Sequence, residues 1–188
     1  MIAAPNKVRY LHVTIEQQTR NWVASFVIKL NLCPFARREM DRNTIRIQVC
    51  DATEIEPALD AVITEAKLLD ETADIETTLL VFPSFVSDFY DYLDFADLAE
   101  SHLHLNNYEG VYQLATFHPD YCFADSAPDD PANYTNRSPF PMLHLLREAS
   151  LDKAIAYYGD TSAIPDNNIA CLRQLGLDGI QKLLSGTN

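Results

Sequence analysis

The densest concentration of reactive side chains in the 188-residue sequence is the stretch Phe117 to Glu148, FHPDYCFADSAPDDPANYTNRSPFPMLHLLRE. His118 and Asp120 flank Pro119, a pattern in which a histidine held at a strand end acts as a general base with a carboxylate to orient it. Asp129 and Asp130 follow Pro128, where one can cap a turn while the other receives Arg137 or Arg147. Asn133, Tyr134 and Asn136 bring amide and phenol groups that either read a polar substrate or tie the loop to itself. His144 and Arg147 are three apart, so on a helix they share a face and reach the same cleft. His118, Asp120 and His144 also form a donor set that suits iron, zinc or manganese, although no HxH or HxxxH spacing accompanies it. Ser138 lacks the GxSxG context of a hydrolase nucleophile and reads as a helix cap.

A second reactive point is Cys33, in Asn31-Leu32-Cys33-Pro34. If Pro34 opens a short helix, Cys33 is its N-cap, and the helix dipole with Arg37 and Arg38 one turn on favours the thiolate. If Cys33 instead closes the preceding helix, the dipole raises its pKa. The third reading is a small buried thiol packed behind a proline. Cys33, His118 and Asp120 are thus the catalytic candidates. Arg37, Arg38, Asp129, Asp130, Asn133, Tyr134, Asn136, Arg137, His144 and Arg147 are the substrate-binding ones.

The elements that must position these groups are legible from periodicity. Thr14 to Leu30 carries Ile15, Trp22, Val23, Phe26, Val27 and Leu30 at helical spacing behind a Thr14–Gln17 capping box. Ile45, Ile47 and Val49 alternate with Arg46 and Gln48 as in a half-exposed strand. A helix with Pro57 in its first turn follows, burying Ile55, Leu59, Val62, Ile63, Ala66 and Leu69 and exposing Asp60, Glu65 and Lys67. Thr77 to Phe82 is an apolar run that belongs in the centre of a covered sheet. Ser84 to Leu105 predicts a helix with an acidic outer face, and Val111 to Phe117 a third strand. Beyond the loop and its five prolines, Met142 to Ala149 predicts a helix with Pro141 near its first turn. Asp152 to Tyr158, Pro165 to Leu175 (closed by Gly176) and Ile180 to Leu184 predict further helical segments. Lys7 to Val13 is a candidate edge strand.

This order predicts an α/β fold: a small, three- to four-stranded, mainly parallel sheet covered by helices, with a long ordered loop after the third strand. In such sheets ligands bind beyond the carboxyl ends of the strands, where the His118 loop begins. With 47% hydrophobic and 22% charged residues, the chain fits one globular domain spanning 1–188. The net charge of −13 opposes nucleic acid and anionic membrane surfaces. No signal-peptide core or run of roughly 18 apolar residues is present, which points to the cytoplasm. Four cysteines without a CxxC pair and only five glycines exclude a zinc ribbon, a thioredoxin motif and a P-loop.

NLCPFA at 31–36, FHPDY at 117–121 and APDDPANYTNRSPFPMLHLLREAS at 127–150 resemble the signatures of a bacterial domain-of-unknown-function family. The resemblance spans Arg20 to about Leu175. It implies a small cytoplasmic protein and lends no activity, cofactor or catalytic residue. The sequence therefore predicts an enzyme acting on a small polar or anionic molecule in a cleft built by the His118–Arg147 segment. The alternatives are a non-catalytic binding or adaptor protein with a rigid recognition loop, and a metal-binding protein using His118, Asp120 and His144.

Overall fold

The computed structural model describes residues 13–185, and they form a mixed α/β structure. In chain order the elements are α1 (Ile15–Trp22), α2 (Ala36–Asp41), β1 (Ile45–Val49), α3 (Ile55–Glu71), β2 (Thr77–Val81), α4 (Phe89–Leu105), β3 (Tyr112–Phe117), β4 (Met142–Arg147), α5 (Glu148–Tyr158) and α6 (Ile164–Ser185). A π-helical segment, Val23–Ile28, continues α1, and a short 3-10 segment, Pro131–Thr135, lies in the loop after β3. Residues 7–12 of the candidate N-terminal edge strand lie outside the described residues.

The sheet order is β1-β2-β4-β3, with β1 parallel to β2 and β4 antiparallel to both of its neighbours. β1, β2 and β3 do point the same way, as the crossover lengths require. The pairing is nevertheless mostly antiparallel, because the segment expected to be a helix is the strand β4, inserted between β2 and β3. MLHLLR is a short apolar run without diagnostic periodicity, and such a run fits either element. Its register settles which side chain goes where. Leu143 and Leu145 are fully buried on one face, while Met142 and His144 point to the other.

Helices cover both faces. On one, Ala58, Val62 and Leu69 of α3 and Phe95 and Leu103 of α4 pack on Leu80, Leu143 and Leu145. On the other, Trp22, Phe26, Leu172 and Ile180 pack on Ile45, Ile47, Leu79, Val81 and Met142. β2 is buried along its whole length, as its two-sided apolar run predicts. Glu65, expected on the outer face of α3, is buried; Arg46 forks onto it at 2.8 and 3.2 Å, and the pair raises the Arg46 pKa. Ile55, expected inside, is 42% exposed.

The local signals that hold are caps. The Thr14 hydroxyl accepts the Gln17 amide at 3.2 Å, which is half of the expected capping box, while the Gln17 side chain donates to Asn21 at 2.8 Å. The first helical run ends at Asn31, which takes a left-handed φ of 54°. Gly176, at φ 68°, kinks α6 where a helix end is expected. α4 starts at Phe89 and not at Ser84, because Val86 takes φ 53° and the Asp88 carboxylate caps the amides of Tyr90 and Asp91. Among the described residues, no helix is long and apolar enough to cross a membrane.

Candidate functional site

The connection 118–141 leaves β3 at the end of the sheet where β1 and β2 also finish, and the Pro83–Asp88 turn lies beside it. Tyr92 of α4 seals this end from below: its phenol donates to the Met142 carbonyl and accepts the Phe117 amide, each at 2.9 Å, joining β3 and β4. Burial pushes the Tyr92 pKa upward, so the phenol keeps its proton.

His118 is fully buried, with its ring 5.4 Å from Phe89 and 5.1 Å from Tyr92. Its Nδ1 accepts the main-chain amide of Asp120 at 3.0 Å. An amide can only donate, so the ring proton sits on Nε2, which donates to the Val86 carbonyl at 3.2 Å. Burial lowers the His118 pKa, against the opposing pull of the Val86 carbonyl and the Asp120 charge. The expected orientation by the Asp120 carboxylate is thus replaced by a bond to the Asp120 backbone, and both ring nitrogens are occupied. Val86 is strained, since a β-branched residue at positive φ is rare. Its carbonyl is the group that His118 holds in place.

The other loop residues also turn inward. Asn133, fully buried, accepts the Phe123 amide at 3.1 Å and donates to the Ala127 carbonyl at 2.8 Å. Asn136 donates to the Thr116 carbonyl at 3.0 Å. Arg137 donates to the carbonyls of Tyr121 (2.9 Å) and Pro128 (2.8 Å), with its guanidinium 4.9 Å from the centre of the Tyr134 ring. Ser138, with no helix to cap, donates to the Phe140 carbonyl at 2.6 Å.

Asp130 caps the 3-10 segment through the Ala132 amide and pairs with Arg173 of α6 at 2.6 Å, not with Arg137 or Arg147. The Arg173 guanidinium and then the Ala132 amide hold the Asp130 carboxyl down at about 2. Asp120 and Asp129 are exposed.

His144 and Arg147 do not share a cleft. Three residues apart on a strand, they face opposite sides of the sheet. His144 lies against Phe117 and bonds the Thr77 hydroxyl at 2.7 Å, and desolvation takes its pKa down to about 4. Arg147 reaches the end of α3, donating to the carbonyls of Leu69 and Ile75 (3.1 Å) and to the Tyr112 phenol (3.2 Å). His118 packs against α4 on the face opposite His144, so His118, Asp120 and His144 do not converge. Among the described residues no three His, Cys, Asp or Glu side chains assemble as a metal site.

Cys33 is also apart from His118. Its corner belongs to the α1–α6 face, where Leu32 is buried and its carbonyl accepts Asn168 at 2.8 Å. α2 begins at Ala36 with Phe35 as its cap, two residues later than expected. Burial pushes the Cys33 thiol up, and the amides of Phe35 and Ala36 pull it down less strongly. Of the three readings of Cys33, the thiolate at a helix start is the one this direction opposes, and the thiol packed behind a proline is the one it fits. Arg37 and Arg38 are exposed on α2, and Arg38 lies 3.4 Å from Glu39.

What the sequence reading missed is the part α4 plays. Phe89 touches both His118 and Tyr121, and the Tyr90 ring is 76% exposed beside it. Nothing in the sequence signalled this, since the helix was expected to start at Ser84 with Phe89 on its packing face. Two grooves, of about 370 and 390 Å³, lie elsewhere, one along α6 at Asp178 to Ser185 and the other between β1 and α3 at Gln48, Cys50 and Thr64.

An α/β sheet with a stapled loop over its carboxyl end is the class the geometry defines. The chain belongs to the DUF1415 family, described as proteins of unknown function, whose model matches residues 14–182. No curated protein and no solved structure matches it.

Proposed function

We propose that this chain is a non-catalytic binding protein whose ordered loop 118–141, together with the start of α4, forms a preorganised recognition surface. The observation that carries this reading is the direction of the loop's polar groups. His118, Asn133, Asn136 and Arg137 all bond main-chain groups of the loop or of the elements beside it. A general base needs a lone pair that it can offer to substrate, and the Nδ1 of His118 is committed to the Asp120 amide. Facing outward are the rings of Tyr90 and Phe123 and the carboxylates of Asp120, Asp125 and Asp129. A surface held in one shape before binding loses less entropy when it docks.

Photo-crosslinking tests the reading. A benzophenone amino acid placed at position 90 or 123 in the full chain is expected to capture the same partner in cells. The same group at position 157, on α5, should not. Equal capture at all three positions removes the reading. So does turnover of a small molecule that disappears in His118→Gln while the fold is kept, because that result requires His118 to act on substrate.

A further inference from the structure

Resting on that reading, we infer that the partner presents a cationic segment, an arginine-bearing stretch of another polypeptide, to a ridge formed by the rings of Tyr90, Phe89, Tyr121 and Phe123. The rings follow one another in contact. Phe89 is 6.0 Å from Tyr90 and 5.1 Å from Tyr121, and Tyr121 is 5.1 Å from Phe123. Tyr90 is 76% exposed and Phe123 36%, which makes the two ends of the ridge its most open points. The ridge is held from behind: Arg137 grips the Tyr121 carbonyl, Asn133 the Phe123 amide, and His118 lies under Phe89.

Carboxylates flank the rings. Asp88 and Asp120 are exposed, yet both lie close enough to His118 to favour its protonated form, which places them at the same end of the sheet. Asp125 is exposed two residues beyond Phe123. Among the described residues no Lys or Arg pairs with any of these three acids; the loop-side ion pair is taken by Asp130 and Arg173. Aromatic faces carry negative quadrupole density and attract cations, and the carboxylates of Asp120 and Asp125 add to that field, whereas Asp88 is engaged in capping α4. An anionic partner is repelled here, and a purely apolar one strips water from carboxylates without replacing it.

Arginine suits the ridge better than lysine because its planar guanidinium stacks on rings and forks onto carboxylates. The same chemistry already occurs within the chain, where Arg137 lies over Tyr134. A ridge with its two exposed rings at the ends and two half-buried rings between them matches roughly four or five residues of extended polypeptide better than one small cation.

The test is a titration of the isotope-labelled full chain with three synthetic 12-residue peptides, alternating glycine with arginine, lysine or glutamate, followed by NMR. The expected result is that the arginine peptide binds tighter than the lysine one and the glutamate one does not bind, with shifts centred on Tyr90, Asp120 and Phe123. Tyr90→Ser combined with Phe123→Ser leaves the charge unchanged and should weaken arginine-peptide binding about tenfold. Asp94→Asn, Asp97→Asn and Glu100→Asn together, on the outer face of α4, should change it less than about twofold. Diffuse attraction to an acidic protein gives the opposite pattern, a loss in the α4 triple variant and none in the ring variant, and overturns the inference. If a partner is captured at positions 90 and 123 while the arginine peptide binds no better than the glutamate one, the inference fails and the binding-protein reading stands. If capture is no stronger at those positions than at 157, the reading itself falls.

Discussion

Arg147→Ala should destabilise the protein by about 2 to 4 kcal/mol, although Arg147 touches no candidate ligand surface. α3 ends at Glu71, and its last carbonyls have no partners within the helix. One guanidinium nitrogen of Arg147 donates to the Leu69 carbonyl, which the Thr72 amide also reaches at 3.4 Å, and to the carbonyls of Ile75 and, at 3.5 Å, Thr72 just beyond the helix end. Its other arm donates to the Tyr112 phenol, which in turn donates to the Asp70 carboxylate at 2.6 Å. Burial and then the bond to Asp70 raise the Tyr112 pKa, so the phenol stays a donor across the physiological range. Hydrogen bonds to a charged group are worth about 1.5 to 3 kcal/mol each. Water entering this half-buried site replaces part of that, which brings the net loss into the stated range. For a chain of this size the melting temperature should drop by about 6 to 12 °C. Urea unfolding should show a lower midpoint with an unchanged slope. Arg147→Lys should recover less than half of the loss, because a single ammonium cannot reach the carbonyls and the Tyr112 phenol as the two guanidinium arms do. An alanine variant that melts within about 1 °C of the parent refutes the argument, since the guanidinium would then lie in water and α3 would end without it.

Acid should act through His144. Its pKa is held at about 4 in the fold against the ordinary 6.5, so between those values the unfolded chain binds the extra proton. Stability is fully present above pH 6.5 and should fall by up to roughly 3 kcal/mol as the pH drops through 4. His144→Gln should make that slope visibly shallower in urea titrations at several pH values. Asn133→Ala should cost about 1 to 3 kcal/mol and speed hydrogen exchange at residues 122–127 first; uniform acceleration over the whole chain contradicts its role as a local staple. Cys33 should react slowly with iodoacetamide at pH 7.5 in the folded protein and quickly in urea, and fast native labelling would place its sulfur in contact with solvent. Arg173→Met should move the Asp130 carboxyl up from about 2 toward the usual range, read by carboxyl-carbon NMR; an unmoved titration would make the Ala132 amide the dominant partner.

The parts legible in the sequence were those set by near neighbours. Thr14 and Gln17 are three residues apart and announce their cap. The alternation of Ile45, Ile47 and Val49 and the two-sided run at Thr77–Phe82 express burial directly. MLHLLR was misread because Pro141, with His144 and Arg147 at helical spacing, imitates a helix start, while the backbone partners that make it a strand lie on other elements, β3 across the long loop and β2 more than 60 positions back. The loop's reactive residues were found, but not their direction. His118 turns inward because of the Val86 carbonyl, 32 positions earlier in a strained turn that no local pattern marks. Glu65 was placed outside for a similar reason, since its partner Arg46 lies on another element.

The position of β4 also constrains how the molecule is assembled. β1 and β2 can pair as soon as α3 has formed, because their register joins residues about 32 apart. Among the described residues β3 has no direct ladder to either strand; it pairs only with β4, the last of the four strands to be made. On a growing chain, β2 must therefore wait with one open edge while α4, β3 and the whole loop are synthesised, a long-range closure of the kind that slows folding and exposes strand edges to other chains. Of the inward bonds, those of Tyr92 span that delayed step, holding Phe117 of β3 and Met142 of β4 to one phenol, so the end of the sheet under the loop is sealed only when β4 arrives. A chain cut before Met142 should lose not one edge strand but the joint between two halves, and it should accumulate as an aggregation-prone fragment.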